Sequence, residues 1–149
     1  VLGEIHRVLR PAGRVAILEN DSLHQLLLPW DAGLELKVRT AELVALQRRS
    51  RHPDKFYVGR DLGRRLLDAG FTSCRKQTYA TNRDGPLTGD VRIFVEGYLR
   101  ALRDSVKDDL PADDLAVFDC LLTPGEPDHF FDDASVAVTS IDHVVCGDK

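Results

Sequence analysis

The chain has 149 residues, 43% of them apolar and 30% charged, the size and make-up of one globular domain. Its 20 Lys and Arg against 24 Asp and Glu leave a formal charge of -4, so no global field draws it to nucleic acid or to an anionic membrane. No apolar run approaches the roughly 18 residues of a membrane span and no secretory signal opens the chain, which makes a soluble, cytoplasmic protein the expectation.

Cys74, Cys120 and Cys146 form no CxxC pair and read as buried thiols rather than as a disulfide or zinc framework. The histidines at 6, 24, 52, 129 and 143 share no metal-ligand spacing. The acidic pairs Asp108-Asp109, Asp113-Asp114 and Asp132-Asp133 read as caps and solvated turns, so no metal is expected. There is no Met, even at position 1, and Val1 runs into a helical pattern without a cap. The expectation is part of a longer protein.

In chain order, Leu2, Ile5, Val8 and Leu9 fall at helical spacing, and Pro11-Ala12-Gly13 stops that helix. Arg14–Glu19 is a continuous apolar run with the character of a strand buried on both faces. Asp21 or Ser22 is placed to cap a short helix through Leu28, which Pro29 ends. A longer helix is predicted from Ala32 to about Arg51, then a loop at His52-Pro53-Asp54. Arg48, Arg49, Arg51 and Lys55 form a basic cluster at that helix end, where complementing the helix dipole accounts for it better than RNA or phosphate does.

Leu62, Leu66, Leu67 and Ala69 predict a third helix, closed by Gly70 at the position of a left-handed cap. Phe71–Thr81 reads as a strand and Asn82-Arg83-Asp84-Gly85-Pro86 as a turn. Helices follow over Leu87 to about Lys107 and Asp113 to about Leu122, and the β-branched run Ser135–Val145 predicts a last strand. Strands alternating with helices make the class α/β.

The stretch Glu4-Ile5-His6-Arg7-Val8-Leu9-Arg10-Pro11-Ala12-Gly13-Arg14 ahead of the apolar strand resembles the segment leading into the fifth strand of class I S-adenosylmethionine-dependent methyltransferases, "E-x-x-R-V-L-[KR]-P-G-G-x". Here Ala12 stands where that family has its first turn glycine. Phe56–Leu62 with Leu66-Leu67-Asp68-Ala69-Gly70-Phe71 is similar to the family's next helix, which ends in "A-G-F" before the sixth strand. The resemblance implies a partial Rossmann-like sheet in which Arg14–Glu19 is the fifth strand and about Thr72–Thr81 the sixth. Ser135–Val145 is then the antiparallel seventh, lying between them.

On that basis residues 1–149 are the C-terminal part of one methyltransferase domain with a helical insertion at 87–122. The complete protein would transfer a methyl group from S-adenosylmethionine to a small-molecule acceptor. No Gly-rich turn follows a strand and no ribose-holding acid ends one, so no cofactor-binding residue is expected in this chain and it should be inactive alone. The apolar strand left at an open edge makes a homodimer a further expectation.

Ligands of open α/β sheets bind beyond the carboxyl ends of strands, which makes Glu19, Asn20 and Asp21 candidate acceptor contacts, with helix capping the plainer role for Asp21. His24 and Trp30 lie where the resembling family carries a lid, although a Trp also serves simply as a packed anchor. Tyr57 and Arg60 enter a helix after a long loop and are candidates for a polar acceptor, Arg60 being otherwise a solvated helix-start residue. No catalytic base is assigned. Two rivals stand beside this reading: a non-catalytic, methyltransferase-like interaction module, and half of a nicotinamide-dependent oxidoreductase, whose sheet lacks an antiparallel final strand.

Overall fold

The computed structural model describes residues 1–21, 23–50 and 53–149, which form a mixed α/β chain. In order these are α1 (Leu2–Val8), β1 (Arg14–Glu19), β2 (Leu26–Leu27), α2 (Ala32–Arg49), a 3-10 segment (Pro53–Arg60), α3 (Leu62–Asp68), β3 (Thr72–Asp84), α4 (Gly89–Val106), α5 (Ala112–Leu122) and β4 (Ala137–Asp148). The chain divides into two compact units, one of residues 1–26, 54–81 and 140–149, the other of 27–53 and 82–139.

In the first unit β4 pairs antiparallel with β1, from Arg14 opposite Asp148 to Glu19 opposite His143. The same stretch of β4 meets β3, through Thr72 Oγ1 donating to the Asp148 carbonyl at 3.2 Å and Thr78 Oγ1 3.0 Å from His143 Nδ1. Those contacts also run in opposite chain directions. A strand has two edges, so over this stretch β1 and β3 take one each and β4 lies between them, antiparallel to both, in the expected order, while β2 also pairs with β4 to make the sheet four-stranded.

Leu62, Leu66, Phe71 and Val145 form the core here, with Leu2, Ile5, Leu9, Val15 and Ile17 packed against it. Helices α1 and α3 therefore cover one sheet face. Burial of β1 on both faces is not what the chain adopts: Val15 and Ile17 are partly buried, while Arg14, Ala16 and Leu18 are exposed, Leu18 by 69%. Four consecutive apolar residues place two on each face whatever covers them, so the run alone cannot report a second layer.

Two turns set this unit's geometry. Helix α3 ends with Gly70 at φ +94°, the Gly70 N–H donating to Leu67 and the Phe71 N–H to Leu66, the paired bonds of a Schellman cap. Between α1 and β1 the Gly13 N–H donates to the Arg10 carbonyl at 2.9 Å, with Ala12 at φ +59°. Proline at the second position and positive φ at the third define a type II turn, whose third position favours glycine. A Cβ on Gly13 would stand 2.8 Å from the Arg10 oxygen, so that glycine is required sterically.

In the second unit α4 packs against α2 and α5. It buries Val95, Leu99, Leu102 and Val106, one stripe of a 3.6-residue period, against Leu34, Val38, Ala41, Ala45 and Leu46 of α2 and Phe118 and Leu122 of α5. Buried Glu42 accepts from Arg39 Nη1 at 2.9 Å, and the same nitrogen donates to the Tyr98 hydroxyl at 3.1 Å. Asp31 caps α2 by accepting from the Leu34 N–H at 3.0 Å.

Several local expectations change. The helix predicted to run to Leu28 is absent: the Asp21 carboxylate accepts from the Leu23 N–H at 3.1 Å and the chain enters the two-residue strand β2. Ser22 itself, like Arg51 and His52, lies outside the described residues. Pro53-Asp54 begin the 3-10 segment rather than a loop. Asn82, Arg83 and Asp84 belong to β3, which runs to Asp84, with Thr139 Oγ1 on β4 donating to Asn82 Oδ1 at 2.8 Å and the Gly85 N–H just beyond the strand donating to the Val136 carbonyl. Among the described residues no helix is long and apolar enough to cross a membrane.

Leu66, with no exposed surface, should lose about 3 kcal/mol of stability on change to Ala, read from urea unfolding. Ala12→Gly should act oppositely. Relief of the left-handed alanine, about 1 to 2 kcal/mol, outweighs the added unfolded-state freedom of about 0.4 to 1 kcal/mol, so the urea midpoint should rise.

Candidate functional site

The carboxyl end of β1 opens into a charged cluster that gathers six of the seven candidate residues within the first unit. Asp21 is 7% exposed and accepts from Arg60 Nε in a close ion pair and from the Leu23 backbone. Arg60 Nη2 donates to His24 Nδ1 at 3.1 Å, and the guanidinium lies over the Tyr57 ring, 5.3 Å from its centre. Tyr57 stands at a kink of the 3-10 segment, φ -139° and ψ 31°, which turns the chain between the aromatic and Gly59-Arg60. Arg60 is thus a structural partner of Asp21 rather than a free helix-start cation.

Glu19 sits opposite His143 in the β1–β4 register, and Asn20, half-buried, donates its backbone N–H to Glu19 Oε1 at 3.3 Å. A Cβ on Gly59 would meet His143 Cδ2 at 3.1 Å and Glu19 Cγ at 3.4 Å, so a glycine lets the 3-10 segment lie close over both side chains. The Gly59 carbonyl accepts from Lys76 Nζ at 3.0 Å.

Trp30, the seventh candidate, lies in the second unit, where its ring meets Phe118 edge-on with centres 4.9 Å apart. That is the packed-anchor role.

His143 is the residue that sequence reasoning missed. Its Nδ1 is engaged with Thr78, and among the described residues no protein group meets Nε2. Burial, and then the Lys76 charge, push the imidazole below the usual histidine range, against the smaller opposing pull of Asp21 and Asp142. It is therefore neutral at pH 7 and able to accept a proton. A histidine inside a β-branched run carries no motif, and only the register of β4 against β1 brings it beside Glu19.

Asp21 moves the other way in origin. Burial raises its pKa, but the hydrogen bond and charge of Arg60, the Leu23 N–H and nearby His24 outweigh burial and hold the carboxyl below the usual range. Among the described residues no group of three or more His, Cys, Asp or Glu is placed to hold a metal ion. The cluster thus sets His143, held toward its neutral form, near an anchored Asp21–Arg60 pair.

Both groups make acid destabilising, in different windows. With the His143 pKa depressed on folding, the unfolded chain binds the extra proton first, and stability falls as pH drops below about 6.5. Asp21 contributes above the ordinary carboxylate range and is lost as pH falls below about 4. Unfolding free energies measured from pH 8 to 3 should show both steps, and His143→Asn should remove the upper one alone. No family model matches the chain and no curated protein matches it significantly, so the chemistry of the cluster rests on these residues themselves.

Proposed function

We propose that the chain is the C-terminal, acceptor-side part of a class I S-adenosylmethionine-dependent methyltransferase with a partial Rossmann-like sheet, acting on a small nucleophilic acceptor. The observation that carries this reading is the sheet order β1, β4, β3 with β4 antiparallel to both neighbours, following the Glu4–Arg14 pattern. The exposed apolar face of β1, with Leu18 and Ala16 toward solvent, supports a sheet that the whole enzyme covers further.

The residues present do not fit the cofactor. Where β1 ends there is no glycine turn, and Asp21, the acid that follows, is already tied to Arg60 and the Leu23 N–H. This chain's contribution is therefore on the acceptor side. Glu19 and the Asp21–Arg60 pair line the carboxyl end of the strand, and neutral His143 takes the proton that the acceptor's nucleophilic atom gives up. Positioning of that atom supplies much of the rate such sites achieve.

Titration calorimetry with S-adenosylmethionine should show no binding to the 149-residue chain and micromolar binding when the chain is continued upstream in its own reading frame. With that longer protein and labelled methyl donor, small phenols, amines and carboxylic acids test the acceptor class. His143→Asn should lower kcat about a hundredfold at neutral pH and leave the affinity for S-adenosylmethionine unchanged. Failure of the extended protein to bind S-adenosylmethionine overturns the reading and leaves the interaction module in its place.

A further inference from the structure

We infer that the second unit carries a binding site of its own for a neutral polyhydroxylated ring, a ligand of the sugar class. This inference does not rest on the methyltransferase reading. The site is a cavity of about 870 Å³ formed by the start of α2, by α5 and by the segment 126–136. Its volume lies in the range of small-molecule pockets, roughly 300 to 1,000 Å³.

The charge of the lining excludes one class of ligand. Asp31, Glu126, Asp128, Asp132 and Asp133 border the cavity and among the described residues no Lys or Arg does, so an anion is repelled. Ionised carboxylates are also acceptors only, and a ligand has to bring donors to them. Asp31 is occupied in capping α2, Asp132 is held by His129 and lies 3.6 Å from Arg92, and Asp133 accepts from the Ser135 N–H and hydroxyl. Glu126 and Asp128 have no ion-pair or hydrogen-bond partner among the described residues, which leaves their oxygens for a ligand's donors.

Trp30 selects among the classes that remain. It lines the same cavity, and its Nε1 is buried with no hydrogen-bond partner among the described residues. An indole N–H can only donate, and a buried donor without an acceptor costs free energy comparable to a lost hydrogen bond. An ammonium answers the carboxylates but has no lone pair for the indole, whereas a ketone or ether accepts from the indole and gives the carboxylates nothing. A hydroxyl does both, donating through its hydrogen and accepting through its oxygen. The frame that carries the hydroxyls needs an apolar face, because Trp30, Leu34, Val117 and Leu121 give the lining apolar surface. A pyranose meets all of these demands at once: it has no charge, hydroxyls around its edge, and a face of C–H groups that packs on an aromatic ring.

Trp30 is the only tryptophan of the chain, so the isotope-labelled full chain has a single indole N–H signal by NMR, and that signal reports the hydrogen bond directly. Methyl β-glucopyranoside, methyl β-galactopyranoside, methyl α-mannopyranoside and maltose serve as neutral probes, with glucuronate as the anion and cyclohexylamine as the cation. The expected result is a saturable downfield shift of the indole proton with at least one neutral probe below about 10 mM, and binding of glucuronate at least about tenfold weaker. Cyclohexylamine should give no downfield shift. Trp30→Phe keeps an aromatic face, removes the donor, and should weaken the same sugar about fivefold by calorimetry. Glu126→Gln with Asp128→Asn should narrow the gap between glucuronate and the neutral sugar to less than about threefold. Circular dichroism melts identify a variant that has lost its fold; should Trp30→Phe do so, the wild-type indole shift and the double variant decide. The proposal is overturned by no saturable shift with any neutral probe up to about 50 mM, by glucuronate binding as tightly as the neutral sugar, or by a folded Trp30→Phe variant that binds the sugar unchanged.

Discussion

A β-strand offers hydrogen-bonding groups on two edges only, and in the first unit β4 commits both, one to β1 and one to β3. The rest of this unit follows from that commitment. The register sets Val145 opposite Ile17 within the core and His143 opposite Glu19 at the rim, two residues further along the same face. Gly147 is the residue that allows so tight an approach, since a Cβ there would stand 3.1 Å from Phe71 Cβ and 3.2 Å from Cys74 Sγ. A one-residue slip would turn His143 and Val145 to the face now occupied by Val144 and Cys146, removing the core residue and the proton acceptor together.

Electrostatics then divide the labour at the end of β1. Asp21 is nearly buried, and a carboxylate in that position persists only with compensation, which Arg60 and a backbone N–H provide. Lys76 is anchored on the Gly59 carbonyl rather than on a carboxylate, so its charge stays uncompensated toward His143 and disfavours the imidazolium. The two cations thus act in opposite senses: one stabilises an anion and the other keeps a histidine neutral.

Much of the element order was legible because it rests on local chemistry. The apolar stripe of α4, the Gly70 cap and the β-branched last strand each declare themselves within a few residues. What was not legible depends on partners distant in sequence. An aspartate whose side chain accepts from an N–H two residues on looks the same in sequence whether it caps a helix or makes a turn into a strand, and Asp21 does the second. Asn82 and Asp84 carry turn chemistry that cross-strand pairing overrides. Six candidate residues converge because the end of β1 is where open sheets present side chains, whereas Trp30, a candidate through the lid of the resembling family, packs on Phe118 in the second unit.

The two units contrast in how each holds a histidine. At His143 the partner of Nδ1 is the Thr78 hydroxyl, which both donates and accepts, so the ring can exchange its proton while a lysine biases it toward the neutral form. At His129 the partner is the Asp132 carboxylate, which only accepts, so Nδ1 is the donor of that bond. A ring free to take up and release a proton suits chemistry. The atom opposite Nδ1 thus differs in kind between the two histidines, a hydroxyl at His143 and a carboxylate at His129, and with it the freedom of each ring to give its Nδ1 proton away.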